Sequence, residues 1–281
     1  MSLRVASDHF AGRGGLALRY RSWIPDDARR TLAIVHGLAE HSQRYDHVAR
    51  YFARSGYAVH SFDQRGHGES EGPRMYTPDF PTLLDDIELF LEHIGRVGAP
   101  GPLHLLGHSM GGLEVATLLV ERGPDVAAAV LSGPALASSP ALGRATSVLV
   151  GLLSRVAPRL RVPASLDPEG LSRDPEVVSA YMADPLVDKR YSARLVAALI
   201  AAIAAIEGRG GDVGVPLLIV HGAADPICPI EGSLRFAADL RPPGSEHHPY
   251  AELRHEVLNE PEREVVLADI AQWLDKHGAS A

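Results

Sequence analysis

Residues 107–111 read Gly-His-Ser-Met-Gly, directly after the apolar run Leu103–Leu106 and directly before a helical pattern that reaches about Arg122. Few short segments restrict a backbone more. A serine at a strand-to-helix turn between two glycines sits in a tight, strained bend, where side chains two residues before and after would collide with it. Glycine at both flanks lets the bend close. The hydroxyl is then presented at the end of a strand and the head of a helix, whose N-terminus favours developing negative charge. The pentapeptide alone is weak, because glycine is common. The strand before and the helix after make it a nucleophile elbow.

The rest of the chain alternates short β-rich runs with longer helical stripes, the pattern of a mostly parallel sheet flanked by helices. Leu32–His36, Tyr57–Phe62, Leu103–Gly107, Val126–Ser132 and Pro216–His221 are the strand candidates. Thr77-Pro78 predicts a helix start, followed by Phe80, Leu83, Leu84, Ile87, Leu91 and Ile94 at helical spacing. A C-terminal helix is expected from Pro261, capped by Asn259 or Glu260, with the stripe Val266, Ile270, Trp273 and Leu274. Between Pro134 and Gly214 the alternation stops. Helical pieces at Leu142–Ala157, Asp174–Ala183 and Ser192–Ile206 fill this stretch, without a convincing strand. The reading is an α/β core of residues 1–133 and 215–281 carrying a helical cap inserted at 134–214. That division accounts for a length of 281 residues, long for one ordinary domain and short for two.

Composition excludes several functions. The net charge is −8, so there is no basic footprint and no nucleic-acid partner is expected. The opening MSLRVASDHF has no apolar core of a secretory signal. The longest apolar run, Leu195–Ile206, is twelve residues and half alanine, too short to span a bilayer. A soluble, cytoplasmic chain is expected. Its single cysteine, Cys228, permits neither an internal disulfide nor a thiolate metal cluster, and neither metal nor organic cofactor is expected.

A serine nucleophile needs a base, and the base needs a carboxylate to orient it. In elbow-bearing chains the order is serine, acid, histidine. The strand Pro216–His221 runs into Gly222-Ala223-Ala224-Asp225-Pro226, which makes Asp225 the acid. His255, just before the C-terminal helix, is the base. Asp212 precedes its strand, Asp239 lies in a helical stretch, and His247 and His248 read as surface or strand residues. Two backbone N–H groups should receive the oxyanion: that of Met110, next to the nucleophile, and that of Leu38, in the loop after the first strand candidate.

Longer motifs then become recognisable. His36–Tyr45, HGLAEHSQRY, resembles the HG-x-x-EHS-x-RY stretch of monoacylglycerol lipases and related lysophospholipases. Asp63–Ser70, DQRGHGES, resembles a loop found more widely among α/β-hydrolases. GHSMGG at 107–112, LSRDP at 171–175, ADPL at 183–186 and HEVLNEP at 255–261 complete the set along nearly the whole chain. The resemblance implies an α/β-hydrolase fold with a helical cap and a carboxylic-ester hydrolase acting on monoacylglycerols through an acyl-enzyme. The alternative is a lysophospholipase or broad short- and medium-chain esterase. With all three candidate residues present, a catalytically silent binding module is the weaker reading. The resemblance also implies substrate contacts near the alcohol end from Glu40, Arg44 and Tyr181, with loop pinning an equal alternative for the first two. It places a thiol near the site at Cys228, for which inert packing is the better reading. Leu38 is bulkier than the alanine common in these lipases, and the apolar stretch Leu149–Leu153 reads as a lipid entrance or as the cap's packed underside. The partners expected are a lipid ester and, transiently through the cap, a membrane interface, for a monomer or weak homodimer.

Overall fold

The computed structural model describes residues 2–138, 143–163 and 167–277. Its strands are β1 (Leu3–Ala11), β2 (Ala17–Pro25), β3 (Arg30–Val35), β4 (Tyr57–Phe62), β5 (Leu103–His108), β6 (Ala128–Ser132), β7 (Arg161–Pro163), β8 (Arg190–Ser192), β9 (Leu217–Gly222) and β10 (Glu246–Tyr250). Its helices are α1 (Asp46–Arg54), α2 (Pro81–Arg96), α3 (Met110–Glu121), α4 (Arg144–Val156), α5 (Pro175–Ala183), α6 (Ala193–Ile206), α7 (Ile230–Ala238) and α8 (Arg263–His277). Eight strands form one sheet in the order β1-β2-β4-β3-β5-β6-β9-β10. The β1–β2 and β2–β4 pairs are antiparallel; β4, β3, β5, β6, β9 and β10 run parallel.

The inner parallel strands β4, β3, β5, β6 and β9 are buried on both faces, which is why they read as largely apolar runs rather than alternating ones. Along β3, Leu32 and Ile34 face a core with Trp23, Phe52, Ile270 and Trp273, while Ala33 and Val35 face one with Leu84, Phe90 and Leu113. Helices α1 and α8 therefore cover one face, and α2 and α3 the other. Order reverses around β3, with β4 on one side and β5 on the other. In open α/β sheets ligands bind beyond the carboxyl ends of strands at such a switch point. The loops after β3 and β5 both open there.

Several expected boundaries shift. Helix α2 starts at Pro81, not at Pro78, because the Asp79 carboxylate accepts from the Thr82 N–H (2.9 Å) and hydroxyl (2.6 Å). Helix α8 starts at Arg263, and neither Asn259 nor Glu260 caps it. The Glu260 carboxylate instead accepts from the Arg254 and Arg173 N–H groups, at 2.6 and 3.1 Å, and Asn259 donates to Glu256. Between β6 and β9 the chain holds α4, α5 and α6, and also β7 paired antiparallel with β8, which corrects the expectation of no strand there. Helix α4 covers most of the expected Leu142–Ala157; Leu142 lies outside the described residues.

Candidate active site

The turn between β5 and α3 needs its glycines for space. A Cβ on Gly107 would lie 2.4 Å from the Gly111 carbonyl oxygen, and one on Gly111 would lie 2.2 Å from Val35 O and 2.5 Å from His36 O. Ser109 itself adopts φ 54° and ψ −115°, a left-handed conformation unusual for a residue with a side chain. The surroundings over-determine it: Ser109 N–H donates to Ser132 O (3.0 Å), and its carbonyl receives Leu113 N–H (3.1 Å). Strain of this kind, of order 1–3 kcal/mol, concentrates at functional sites.

Ser109, His255 and Asp225, from three separate loops, come together in one hydrogen-bonded line. The Ser109 hydroxyl donates to His255 Nε2 at 2.9 Å, and His255 Nδ1–H donates to Asp225 Oδ2 at 2.7 Å. Asp225 is held from all sides. Its Oδ1 accepts from the Ile227 and Cys228 N–H groups at 2.7 and 3.0 Å, and His221 Nε2–H donates to Oδ2 at 3.1 Å. The tautomer of His221 follows, because its Nδ1 then accepts from the Ser233 hydroxyl at 2.7 Å. Burial alone would raise the Asp225 pKa; the His255 charge and these hydrogen bonds more than reverse it, and the carboxyl lies well below its usual range. For His255, burial lowers the pKa, but the Asp225 charge and hydrogen bond outweigh it and the net shift is upward.

Competing candidates lie elsewhere. Asp212 pairs with Arg209 at 3.0 Å ahead of β9, Asp239 ends α7, and His247 and His248 sit on β10.

Leu38 and Met110 lie on the two segments that meet at Ser109. Met110 opens α3, so its N–H heads the helix. Leu38 follows Gly37, where an added Cβ would lie 3.0 Å from Ser109 Cβ; the loop after β3 therefore passes directly against the nucleophile candidate. Ala39 turns the loop with φ 59°.

Glu40 and Arg44 are committed to protein partners. Glu40 Oε1 accepts from Gly37 N–H (2.5 Å) and the Tyr45 hydroxyl (2.7 Å), and Oε2 accepts from Arg44 (2.8 Å). Arg44 also forms a two-pronged pair with Glu256, at 2.7 and 2.8 Å, next to His255. Its guanidinium lies 5.0 Å over the Tyr181 ring of α5. Burial would raise Glu40, but Arg44 and the nearby His108 and His36 bring its pKa down to about 2. The same pair of glutamates raises the Arg44 pKa despite its burial. One cation thus ties the loop after β3 to the loop that carries His255, and both to α5.

Other residues around this site were not singled out from the sequence. His221 and Ser233 support the acid, Glu256 holds Arg44, and the His108 ring packs 4.9 Å from that of His255. Burial, with His255 nearby, lowers the His108 pKa to about 4, so it is neutral, and Nδ1–H donates to Ser132 O. Asking which donor fills the second face of a buried Asp225 points to His221, at the end of the same strand. Asp63 of the DQRGHGES loop accepts from the Ser42 N–H and hydroxyl and from Glu69 N–H, so this loop braces the first motif. Burial, then Asp225, pushes the Cys228 thiol up, which leaves it a protonated, buried side chain. No cluster of three or more metal-ligating side chains exists among the described residues. No described helix is long and apolar enough to cross a membrane.

A strained serine at the carboxyl edge of a mostly parallel sheet, hydrogen-bonded to a histidine that an aspartate orients, defines a serine hydrolase of the α/β-hydrolase fold. The Hydrolase_4 family model, described as serine aminopeptidase, S33, matches residues 26–262. A monoacylglycerol lipase from Mycolicibacterium smegmatis is 36% identical over 96% of this chain and 98% of its own. The mouse monoglyceride lipase is 30% identical over 97% of this chain and 91% of its own. The crystal structure of a Paleococcus ferrophilus monoacylglycerol lipase superposes with TM-score 0.82 at 31% identity, covering 99% of this chain and 100% of that one. The chain belongs to this Hydrolase_4 family, alongside the monoacylglycerol lipases, and is a serine hydrolase of the carboxylic-ester type.

Proposed function

We propose that the protein hydrolyses monoacylglycerols to glycerol and a fatty acid. The observation that carries this reading is the line Ser109–His255–Asp225, with its 2.9 and 2.7 Å hydrogen bonds. Ser109 Oγ attacks the ester carbonyl carbon while His255 Nε2 takes its proton. Asp225 accepts from Nδ1–H, fixes the tautomer and stabilises the imidazolium. The carbonyl oxygen, now negative, receives the N–H groups of Leu38 and Met110. Collapse of the tetrahedral intermediate breaks the bond to glycerol, and His255 returns the proton to the departing alkoxide. Water then attacks the acyl-enzyme, giving its proton to His255, and the fatty acid leaves as Ser109 recovers its hydrogen.

Glu40 and Arg44, with their polar atoms turned to one another, Glu256 and Gly37, act as struts of the oxyanion loop. Tyr181, on α5 of the cap (residues 134–214), lies under the Arg44 guanidinium with Leu171, Val187 and Ile227 as its apolar neighbours. An apolar insertion over the serine suits acyl chains better than sugars or peptides. On the cap's outer side, Val148 and Val156 are 74% and 70% exposed, and Leu149 and Leu152 lie on the same stripe of α4. Such a stripe on a surface helix fits transient contact with the lipid interface that holds the substrate.

The test is hydrolysis of monoolein, lysophosphatidylcholine and p-nitrophenyl butyrate by the wild type and Ser109→Ala. Monoolein should be preferred, and the variant should retain no more than about 10⁻³ of the wild-type rate. Wild-type rates in Ser109→Ala, or a clear preference for the lysophospholipid, would contradict the reading.

A further inference from the structure

We propose that Glu114, which takes no part in the hydrolytic steps above, is a positioning residue that acts, through Gln64 and His36, on the oxyanion loop. The proposal rests on the assignment of Leu38 N–H as an oxyanion donor.

Glu114 lies on α3, five residues after Ser109, and has no solvent exposure. Neither carboxyl oxygen has a partner at full hydrogen-bond geometry; the Gln64 side chain is the polar group that reaches toward them. The charged group that acts on it is Asp86 of α2. Arg65, the neighbouring cation, is already committed to Asp86 through bonds of 2.5 and 2.8 Å, and Asp86 also accepts from Arg13 N–H. Helix α3 itself lies in an apolar core, with Val35, Leu105 and Leu131 of the sheet and Leu195 of α6 in the same cluster as its Leu113, Val115 and Leu118. A carboxylate with no cation of its own, facing another carboxylate, is expensive to bury, and the group neutralises instead. Burial, then Asp86, raises its pKa well above the ordinary value.

Gln64 connects this acid to the site. Its side-chain Nε2–H donates to His36 O at 2.7 Å, and its backbone N–H donates to His36 Nε2 at 2.9 Å. His36 therefore carries its proton on Nδ1, which donates to Gly37 O at 2.7 Å. Helix α3 presses on the same carbonyl, since a Cβ on Gly111 would sit 2.5 Å from His36 O. His36 is thus gripped on two sides, and the next peptides are Gly37 and Leu38. A neutral acid offers Gln64 one donor and one acceptor. An ionised Glu114 offers only acceptors: it can still take the second Gln64 amide proton, but it has no proton for Gln64 Oε1 and sets like partial charge against it. The neutral form holds the loop, and ionisation loosens it.

The experiment compares Glu114→Leu, Glu114→Gln, Gln64→Leu and the Glu114→Leu/Gln64→Leu double variant with wild type, measuring kcat and KM on p-nitrophenyl butyrate. Glu114→Leu and Gln64→Leu should each lose about tenfold in kcat, the scale of one hydrogen bond, with KM within about twofold. The double variant should lose no more than either single one, and Glu114→Gln should keep the wild-type kcat. Wild-type kcat in Glu114→Leu, additive losses in the double variant, or a Glu114→Gln protein as slow as Glu114→Leu would overturn the proposal. If Glu114→Leu does not fold, Gln64→Leu and Glu114→Gln decide, and an unimpaired Gln64→Leu overturns it. Should the hydrolase reading itself be wrong, the wild type would already fail, or Ser109→Ala would match it; neither outcome involves Glu114.

Discussion

Arg44→Met removes one cation and leaves two carboxylates, Glu40 and Glu256, buried side by side. Both glutamate side chains are 4% exposed and that of Arg44 is 11%, so solvent offers little relief. Three charge-assisted bonds vanish, at 2.8, 2.7 and 2.8 Å, together with the contact over Tyr181. Breaking a buried pair on one side costs about 3–5 kcal/mol, chiefly through the charge left behind. For 281 residues that corresponds to a fall in Tm of roughly 5–8 °C. Urea unfolding monitored by tryptophan fluorescence measures the loss, alongside kcat and KM on monoolein. A strut predicts lower stability and lower kcat together. Neutralising both glutamates as well, in Glu40→Gln/Arg44→Met/Glu256→Gln, should recover most of the stability. Stability should also respond to acid. Glu40 has a folded pKa of about 2 against 4.5 for the free group, so its contribution is full above about 4.5 and lost as pH falls toward 2. Arg44→Met should flatten that dependence. A variant that loses less than about 1 kcal/mol, with only KM raised, would refute the reasoning and return Arg44 to substrate contact.

Other expectations follow from the same geometry. His255 must be neutral to act as base, and its pKa is raised, so kcat/KM should fall as pH drops through an ionisation above 6.5. Asp225→Asn should move that limb to lower pH and reduce kcat by about 10⁴-fold in a pH–rate series. Gly111→Ala puts a methyl 2.2 Å from Val35 O, so expression and activity assays should find it unfolded or inactive. Replacing Val148, Leu149, Leu152 and Val156 with serine should reduce pelleting with liposomes and slow hydrolysis of monoolein, while leaving a soluble p-nitrophenyl ester unaffected. Equal pelleting of both proteins would count against the cap's role.

The site is unusually legible because its demands are local. Gly107 and Gly111 have no alternative at a turn where a Cβ meets a carbonyl oxygen, and Asp225 and His255 occupy strand-end and pre-helix loops that chain order distinguishes. Part of what escaped the sequence lacks a burial pattern. Strand β1 is exposed at most positions and β10, EHHPY, is a polar edge strand with a proline, so neither shows an apolar period. Strands β7 and β8 are three residues each and draw their pairing from tertiary contact. The supports of the site were hidden for another reason. Glu256 and Gln64 act through Arg44 and His36, distant in sequence, and spacing alone does not reveal them; His221 stands four residues before Asp225 but reads as one more residue of a buried strand. The polar pair Glu40 and Arg44 was visible, but whether it faces substrate or protein depends on Glu256, more than two hundred residues further on.

Every step of the hydrolysis depends on Ser109 being the nucleophile. Treating the purified protein with a fluorophosphonate probe and mapping the labelled peptide by mass spectrometry tests it most directly. One label is expected, on Ser109, with ester hydrolysis lost in proportion to labelling, and no label on Ser109→Ala. Hydrolysis lost without modification of Ser109, or undiminished with Ser109 fully modified, would contradict it.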